Sequence, residues 1–305
     1  MASRHTLARE VSVEGVALHA GVASRLRLLP AGPGEGIVFR RADLAGSAPI
    51  PALWSNVAET CLGTVLRGPD GGSVAVVEHL MAALAGAEID DCTIEVDGPE
   101  PPLLDGDALS YLALIDAAGT EAHAAREVIR LNRPVEALSP SASAKLVPAE
   151  IPEFYFEIDF PSAVIGRQTF SCRFDQETFR REIAPARTFG FFGDAESLRA
   201  SGYGRGADLT NTLVIDGDSL MNPQLLRFPD EFVRHKILDA VGDLALVGYP
   251  VIGHLFAHRA GHALHTEFAA KILEETHAWR FVESADPAAV PVPLGSKAHV
   301  PRLAS

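Results

Sequence analysis

Apolar residues recur at alternate positions along the first forty residues. Val11, Val13 and Val16 run into a turn spelled Gly-Val-Ala-Leu-His-Ala-Gly, and Arg25–Leu29 alternates polar with apolar, so this stretch reads as strands. Ser73–Val77 is a short β-branched run. It feeds Glu78–Ala85, rich in alanine and leucine and stopped by Gly86, which predicts a strand leading into a helix. Cys92–Val96 reads as another strand. Pro99, Pro101 and Pro102 then enforce an extended loop, and Asp107–Ala118 reads as a helix ending at Gly119.

Residues 120–127 are polar and alanine-rich and read as a linker, after which a second set of elements begins. Val128–Leu131, Ala144–Leu146, Phe154–Phe160 and Gln168–Phe174 read as strands, and Gln176–Ile183 as a helix. Phe232–Val247 carries the clearest helical periodicity. It is followed by a strand, Ile252–His258, and a helix, His262–Glu275. Residues 201–208 are rich in Gly, Ser and Arg and read as an irregular, mobile insertion. The expected fold class is α+β in two domains, 1–123 and 124–283, with a loose Pro-rich tail at 284–305.

Composition adds exclusions. The 305 residues are 47% hydrophobic and 22% charged, an ordinary globular balance. The net charge of -14 argues against nucleic acid, whose affinity comes from neutralised phosphates, yet leaves room for local cations around a small anion. Cys61, Cys92 and Cys172 have neither metal-ribbon nor redox spacing, so reduced thiols and a cytoplasmic setting are expected. No signal peptide is evident near the start, and no apolar run reaches the roughly 18 residues of a membrane span.

Three segments offer chemistry. On the long helix, His235 and Asp239 lie at i and i+4 and Asp243 continues the stripe. The pair can grip one metal ion, although an exposed stripe of helical charge pairs has the same spacing. Glu78-His79, at a strand–helix junction, can divide a carboxylate base from a metal ligand, but from the residues alone a glutamate complementing the helix dipole is the stronger reading. His262, beside Gly261 at a helix start, can serve as acid, base or oxyanion stabiliser, or be an ordinary satisfied histidine.

The surrounding blocks draw these together. Gly15-Val-Ala-Leu-His-Ala-Gly21, Gly36-Ile-Val-Phe-Arg-Arg41, Val77-Glu-His-Leu-Met-Ala-Ala-Leu-Ala-Gly86, Ala186-Arg-Thr-Phe-Gly-Phe191, Leu226-Arg-Phe228 with Asp230–Asp243, and Gly261-His-Ala-Leu264 occur in one order. In these blocks the chain resembles the UDP-3-O-acyl-N-acetylglucosamine deacetylases of Gram-negative bacteria, nearly end to end. The resemblance implies one catalytic Zn2+, with Fe2+ as an option, on His79, His235 and Asp239. It implies Glu78 as general base, His262 in an acid or electrostatic role and oriented by Asp243, and Thr188 on the reacting carbonyl oxygen. Lys236 falls near the substrate, and Phe160, Phe191 and Arg259 fall in the nucleotide region. It further implies helices packed between two sheets with the site at the junction, and an insertion near 195–213 forming a passage for the acyl chain. The substrate would be a nucleotide-sugar lipid precursor handled by a monomer without integral membrane association. Two departures stand out: Gly63 aligns with a cysteine that many members carry near the metal, and His265 stands where an Asn is common. A zinc amidohydrolase acting on another N-acetylated sugar and a non-catalytic metal-binding protein are the rival readings.

Overall fold

The computed structural model describes residues 3–283. The Pro-rich tail therefore lies outside the described residues. Among the described residues there are six α-helices: α1 (Glu78–Gly86), α2 (Leu109–Ala118), α3 (Gln176–Thr178), α4 (Ala195–Ala200), α5 (Glu231–Ala245) and α6 (His262–Glu274). Among the described residues, no helix is long and apolar enough to cross a membrane.

Two five-stranded sheets repeat one strand order. In the first, Cys92–Val96 sits at the centre, antiparallel to Ala23–Pro30 and parallel to Ile37–Arg41, with Val11–Val16 and Ile50–Pro51 outside. In the second, His254–His258 sits at the centre, antiparallel to Ser143–Val147 and parallel to Glu153–Asp159, with Val135–Leu138 and Arg167–Arg173 outside. Each central strand lies between two helices in sequence: α1 and α2 flank the first, α5 and α6 the second. The sequence shows no repeat at the residue level, because the duplication lies in strand order and not in side chains.

The two halves meet most extensively where α1 packs on α5. Eight of the nine residues of α1 are buried, including its two charged or titratable ones, so it is a helix surrounded by protein. The contact is closer than side chains allow. A Cβ added at Gly242 of α5 would lie 2.0 Å from the backbone oxygen of Glu78. α5 also packs on α6 and on the strands Glu153–Asp159 and Arg167–Arg173. Phe156, Phe179, Phe232 and Phe268 fill the core around it, each almost wholly buried.

Several expectations change. The linker at 120–127 is not a linker: Thr120–Ala125 pairs antiparallel with Ser3–Leu7, and Glu127–Leu131 pairs with Trp279–Glu283 and Val251–Ile252. Backbone groups make that pairing, so its polar, alanine-rich side chains carry no signal for it. The strand expected at Ser73–Val77 stops at Val74, because Val76 turns into the left-handed region with φ +55°. The helix expected over Gln176–Ile183 is one α-turn followed by a five-residue π-helix, Phe179–Ile183.

Gly242→Ala tests the close approach. A methyl at 2.0 Å from a backbone oxygen forces α1 and α5 apart. The expected cost is about 3 kcal/mol in chemical denaturation. A variant with parental stability would show that the contact is not this tight.

Candidate active site

Glu78 and His79 open α1, and the turn that delivers them is strained. Leu62, Val76 and Arg259 are non-glycine residues with φ of +60°, +55° and +51°. Leu62 precedes Gly63 and Thr64, Val76 precedes Glu78, and Arg259 precedes Gly261 and His262. Such conformations cost about 1–3 kcal/mol each and persist where surrounding structure imposes them.

One cluster comprises His79, His235 and Asp239, all buried, with ligand atoms mutually within 4.8 Å. Asp239 Oδ1 lies 3.6 Å from His79 Nε2 and 3.3 Å from His235 Nε2. The other nitrogen of His235, Nδ1, donates to the carbonyl of Ala186 at 3.1 Å, which leaves Nε2 with its lone pair toward the cluster. Burial drives the His235 pKa down to about 3, so the ring is neutral. Asp239 Oδ1 is buried with no hydrogen-bond partner, while Lys236 Nζ donates to Oδ2 at 2.6 Å. Against burial, the charged Lys236 holds the Asp239 carboxyl well below the usual range. Two imidazole nitrogens and an orphaned carboxylate oxygen converging in a buried pocket fit one divalent cation.

The second cluster faces it. Glu78 accepts the Thr64 amide on Oε2 at 3.0 Å, and its Oε1 stands 3.9 Å from Nε2 of His262. Burial raises the Glu78 pKa. His262 Nδ1 donates to Asp243 Oδ2 at 2.8 Å, and Thr64 Oγ1 donates to Asp243 Oδ1 at 2.5 Å. Burial works against the His262 charge, but the Asp243 carboxylate overrides it and lifts the pKa to about 9. Gly63 has φ +149°, and a Cβ there would come within 3.0 Å of Glu78 Oε1. A side chain at this position would crowd the carboxylate, so the departure at Gly63 has a local physical meaning.

The remaining positions are placed less directly. Thr188 is fixed by its backbone, donating to Gly106 and accepting from Leu213. Phe160 meets Phe191 at 6.1 Å and Phe189 at 5.7 Å, and Phe189 reaches His235 at 6.1 Å, an aromatic run leading away from the first cluster. Arg259 is exposed and follows the strand His254–His258, whose last residue pairs with Glu157, so it shares a sheet end with Phe160. The segment Ser201–Thr212 has neither helix nor strand but is tied down. Gly206 N donates to Leu18 O and Arg205 N to His19 O, and Gly204 N donates to His19 Nδ1. His19 Nε2 in turn lies 2.9 Å from Leu62 O.

Sequence reasoning misses Thr64, Phe189 and Ala186. Thr64 is fully buried and bonds both Glu78 and Asp243, yet a lone threonine after a glycine carries no spacing signal. Phe189 stands in plain view two residues before Phe191. The Ala186 contribution is a carbonyl and has no side-chain trace.

The chain matches the family model for UDP-3-O-acyl N-acetylglycosamine deacetylase over residues 4–274. It is 47% identical over 281 residues to the UDP-3-O-acyl-N-acetylglucosamine deacetylase of Myxococcus xanthus, covering 92% of this chain and 89% of the relative. The proteins of that description from Syntrophotalea carbinolica and Phenylobacterium zucineum are 40% and 43% identical. They cover 94% and 91% of this chain and 93% and 95% of their own lengths.

Asp239→Asn tests the first cluster. Replacing an anionic donor by an amide is expected to lower divalent-metal affinity by at least about tenfold, read as metal content after dialysis. Parental metal content would remove Asp239 from the donor set.

Proposed function

Since the chain belongs to the family of UDP-3-O-acyl N-acetylglycosamine deacetylases, we infer that it hydrolyses the N-acetyl group of UDP-3-O-acyl-N-acetylglucosamine. The products are acetate and the free amine, at the committed step of lipid A synthesis. The observation that carries the reading is the meeting of Glu78 Oε1 and His262 Nε2 at 3.9 Å beside three converging donors.

We assign Zn2+ to His79, His235 and Asp239; Fe2+ suits the same donors. Bound there, the ion supplies a Lewis acid that acidifies water and polarises a carbonyl. Everything else is done by the chain. Glu78, anchored through Oε2 by the Thr64 amide, takes a proton from the attacking water on Oε1. The water oxygen bonds to the acetyl carbon, and the Thr188 hydroxyl is assigned to the developing oxyanion. As the carbon–nitrogen bond breaks, its electron pair passes to nitrogen, which takes the proton from His262 Nε2. Asp243 on Nδ1 keeps that ring oriented and charged.

Lys236 and Arg259 are assigned to the diphosphate, and Phe160 and Phe191 to the nucleotide region. The insertion 195–213 is assigned to the acyl chain, supported by the exposure of Leu209 within it. The duplicated strand order supports two α+β domains, 1–123 and 124–283, with their helices between the two five-stranded sheets. The enzyme is taken to work as a cytoplasmic monomer on an amphiphilic nucleotide sugar.

Glu78→Gln is expected to lower acetate release, followed by mass spectrometry, about a thousandfold while metal content stays parental. Turnover at the parental rate would overturn the base role. The acid role predicts a pH profile. His262 must carry its proton, so kcat/KM falls as pH rises through its pKa, about 9 without the metal. A nearby divalent cation moves that limb downward. An alkaline limb that survives unchanged in His262→Ala would belong to another group.

A further inference from the structure

Asp243 is fully buried, and one of its oxygens serves two imidazoles. Oδ2 accepts from Nδ1 of His262 and from Nδ1 of His265, each at 2.8 Å. The reaction as assigned uses only the first. His265 lies three residues further along α6, is 1% exposed, and stands with its ring nearly perpendicular to that of His262, at 6.4 Å. Its second nitrogen, Nε2, is buried and has no hydrogen-bond partner, and the Phe156 ring packs at 6.3 Å.

These contacts define the state of the ring. A nitrogen against a carboxylate donates, so the proton is on Nδ1. A second N–H on Nε2 would be a buried donor without an acceptor, which is costly. His265 is therefore a neutral ring with one functional hydrogen bond, and its burial, which lowers its pKa, agrees. We propose that His265 is a positioning residue for the reaction, its Nδ1–H sharing Oδ2 of Asp243 with His262 and so fixing the orientation of the catalytic imidazole.

The physical logic has two parts. With Thr64 on Oδ1 and His265 on Oδ2, the carboxylate cannot rotate away when His262 gives up its proton. Two donors on one oxygen also divide its charge, so Asp243 holds the His262 proton less tightly than it would alone. His262 is faced by Asp243 and Asp239 from α5 and by Glu78 and His79 from α1. His265 is faced by Asp243 and Lys236 from α5 and by His262 on its own helix.

The proposal rests on the acid role assigned to His262, and the experiment separates the two. The metal-loaded parent, His265→Leu and His265→Asn are compared by imidazole 15N NMR and by kcat and KM across pH. In the parent, His265 is expected as the Nδ1–H tautomer. In His265→Leu, kcat is expected to fall about tenfold with KM within about twofold. The His262 titration and the alkaline limb should both rise by ~0.5–1 unit. In His265→Asn the amide N–H restores the donor, bringing kcat within about threefold of the parent.

An Nε2–H tautomer in the parent would overturn the proposal whatever the variants do. So would a His262 titration and kcat unchanged in His265→Leu, or a His265→Asn variant as impaired as His265→Leu. A shifted His262 titration in a parent that releases no acetate would uphold the hydrogen-bond arrangement and sink the reaction it was assigned to.

Discussion

The site depends on how closely two backbones approach. α1 and α5 touch at Gly242, where the backbone oxygen of Glu78 occupies the space a Cβ would need. Asp239 and Asp243 flank Gly242 along α5, while Glu78 and His79 are the first two residues of α1. One side-chain-free position thus brings groups from distant parts of the chain within contact distance. Every other feature of the site, including the strained turn at Val76 and the Thr64 bridge, lies around this contact.

The second constraint is electrostatic. Glu78, Asp239, Asp243 and Lys236 lie in or beside a buried volume where an unpaired charge is expensive. They persist because each is answered. Lys236 answers one oxygen of Asp239, and three donors answer Asp243. The exception is Asp239 Oδ1, which faces two imidazole nitrogens and nothing else. For a charged carboxylate oxygen with two imidazole nitrogens beside it, a bound cation is the explanation that the donor set fits. The remaining carboxylate, Glu78, is poised by a backbone amide on one oxygen with the other left toward His262.

How much of this is legible in the sequence follows from what each residue has to announce it. His235 and Asp239 at i, i+4 share a helix face by geometry, so their pairing is readable from spacing alone. Glu78, His79 and His262 are visible as chemistry but placed only by the family resemblance, since nothing in one sequence says that the starts of α1 and α6 converge. Thr64 and the Ala186 carbonyl are invisible, because buried backbone bonds leave no pattern in side chains. The strand at Thr120–Ala125 reads as a linker for the same reason: its partner, Ser3–Leu7, is more than a hundred residues away and the pairing is main-chain. The like strand order of the two sheets is hidden because their hydrophobic faces are filled by different residues.

The loop from Ser201 to Thr212 is fastened chiefly through its main chain. The amides of Gly204, Arg205 and Gly206 reach the ring or carbonyls of His19 and Leu18, and His19 passes the connection on to Leu62. A fastening of peptide groups is indifferent to most substitutions in the fastened segment. The exposed apolar side chains around it, such as Phe192 and Leu209, can therefore change without loosening it. The surface of the loop is thus separable from its anchorage, and the turn at Leu62 that carries Thr64 toward the Glu78 carboxylate is insulated from changes in the loop's side chains.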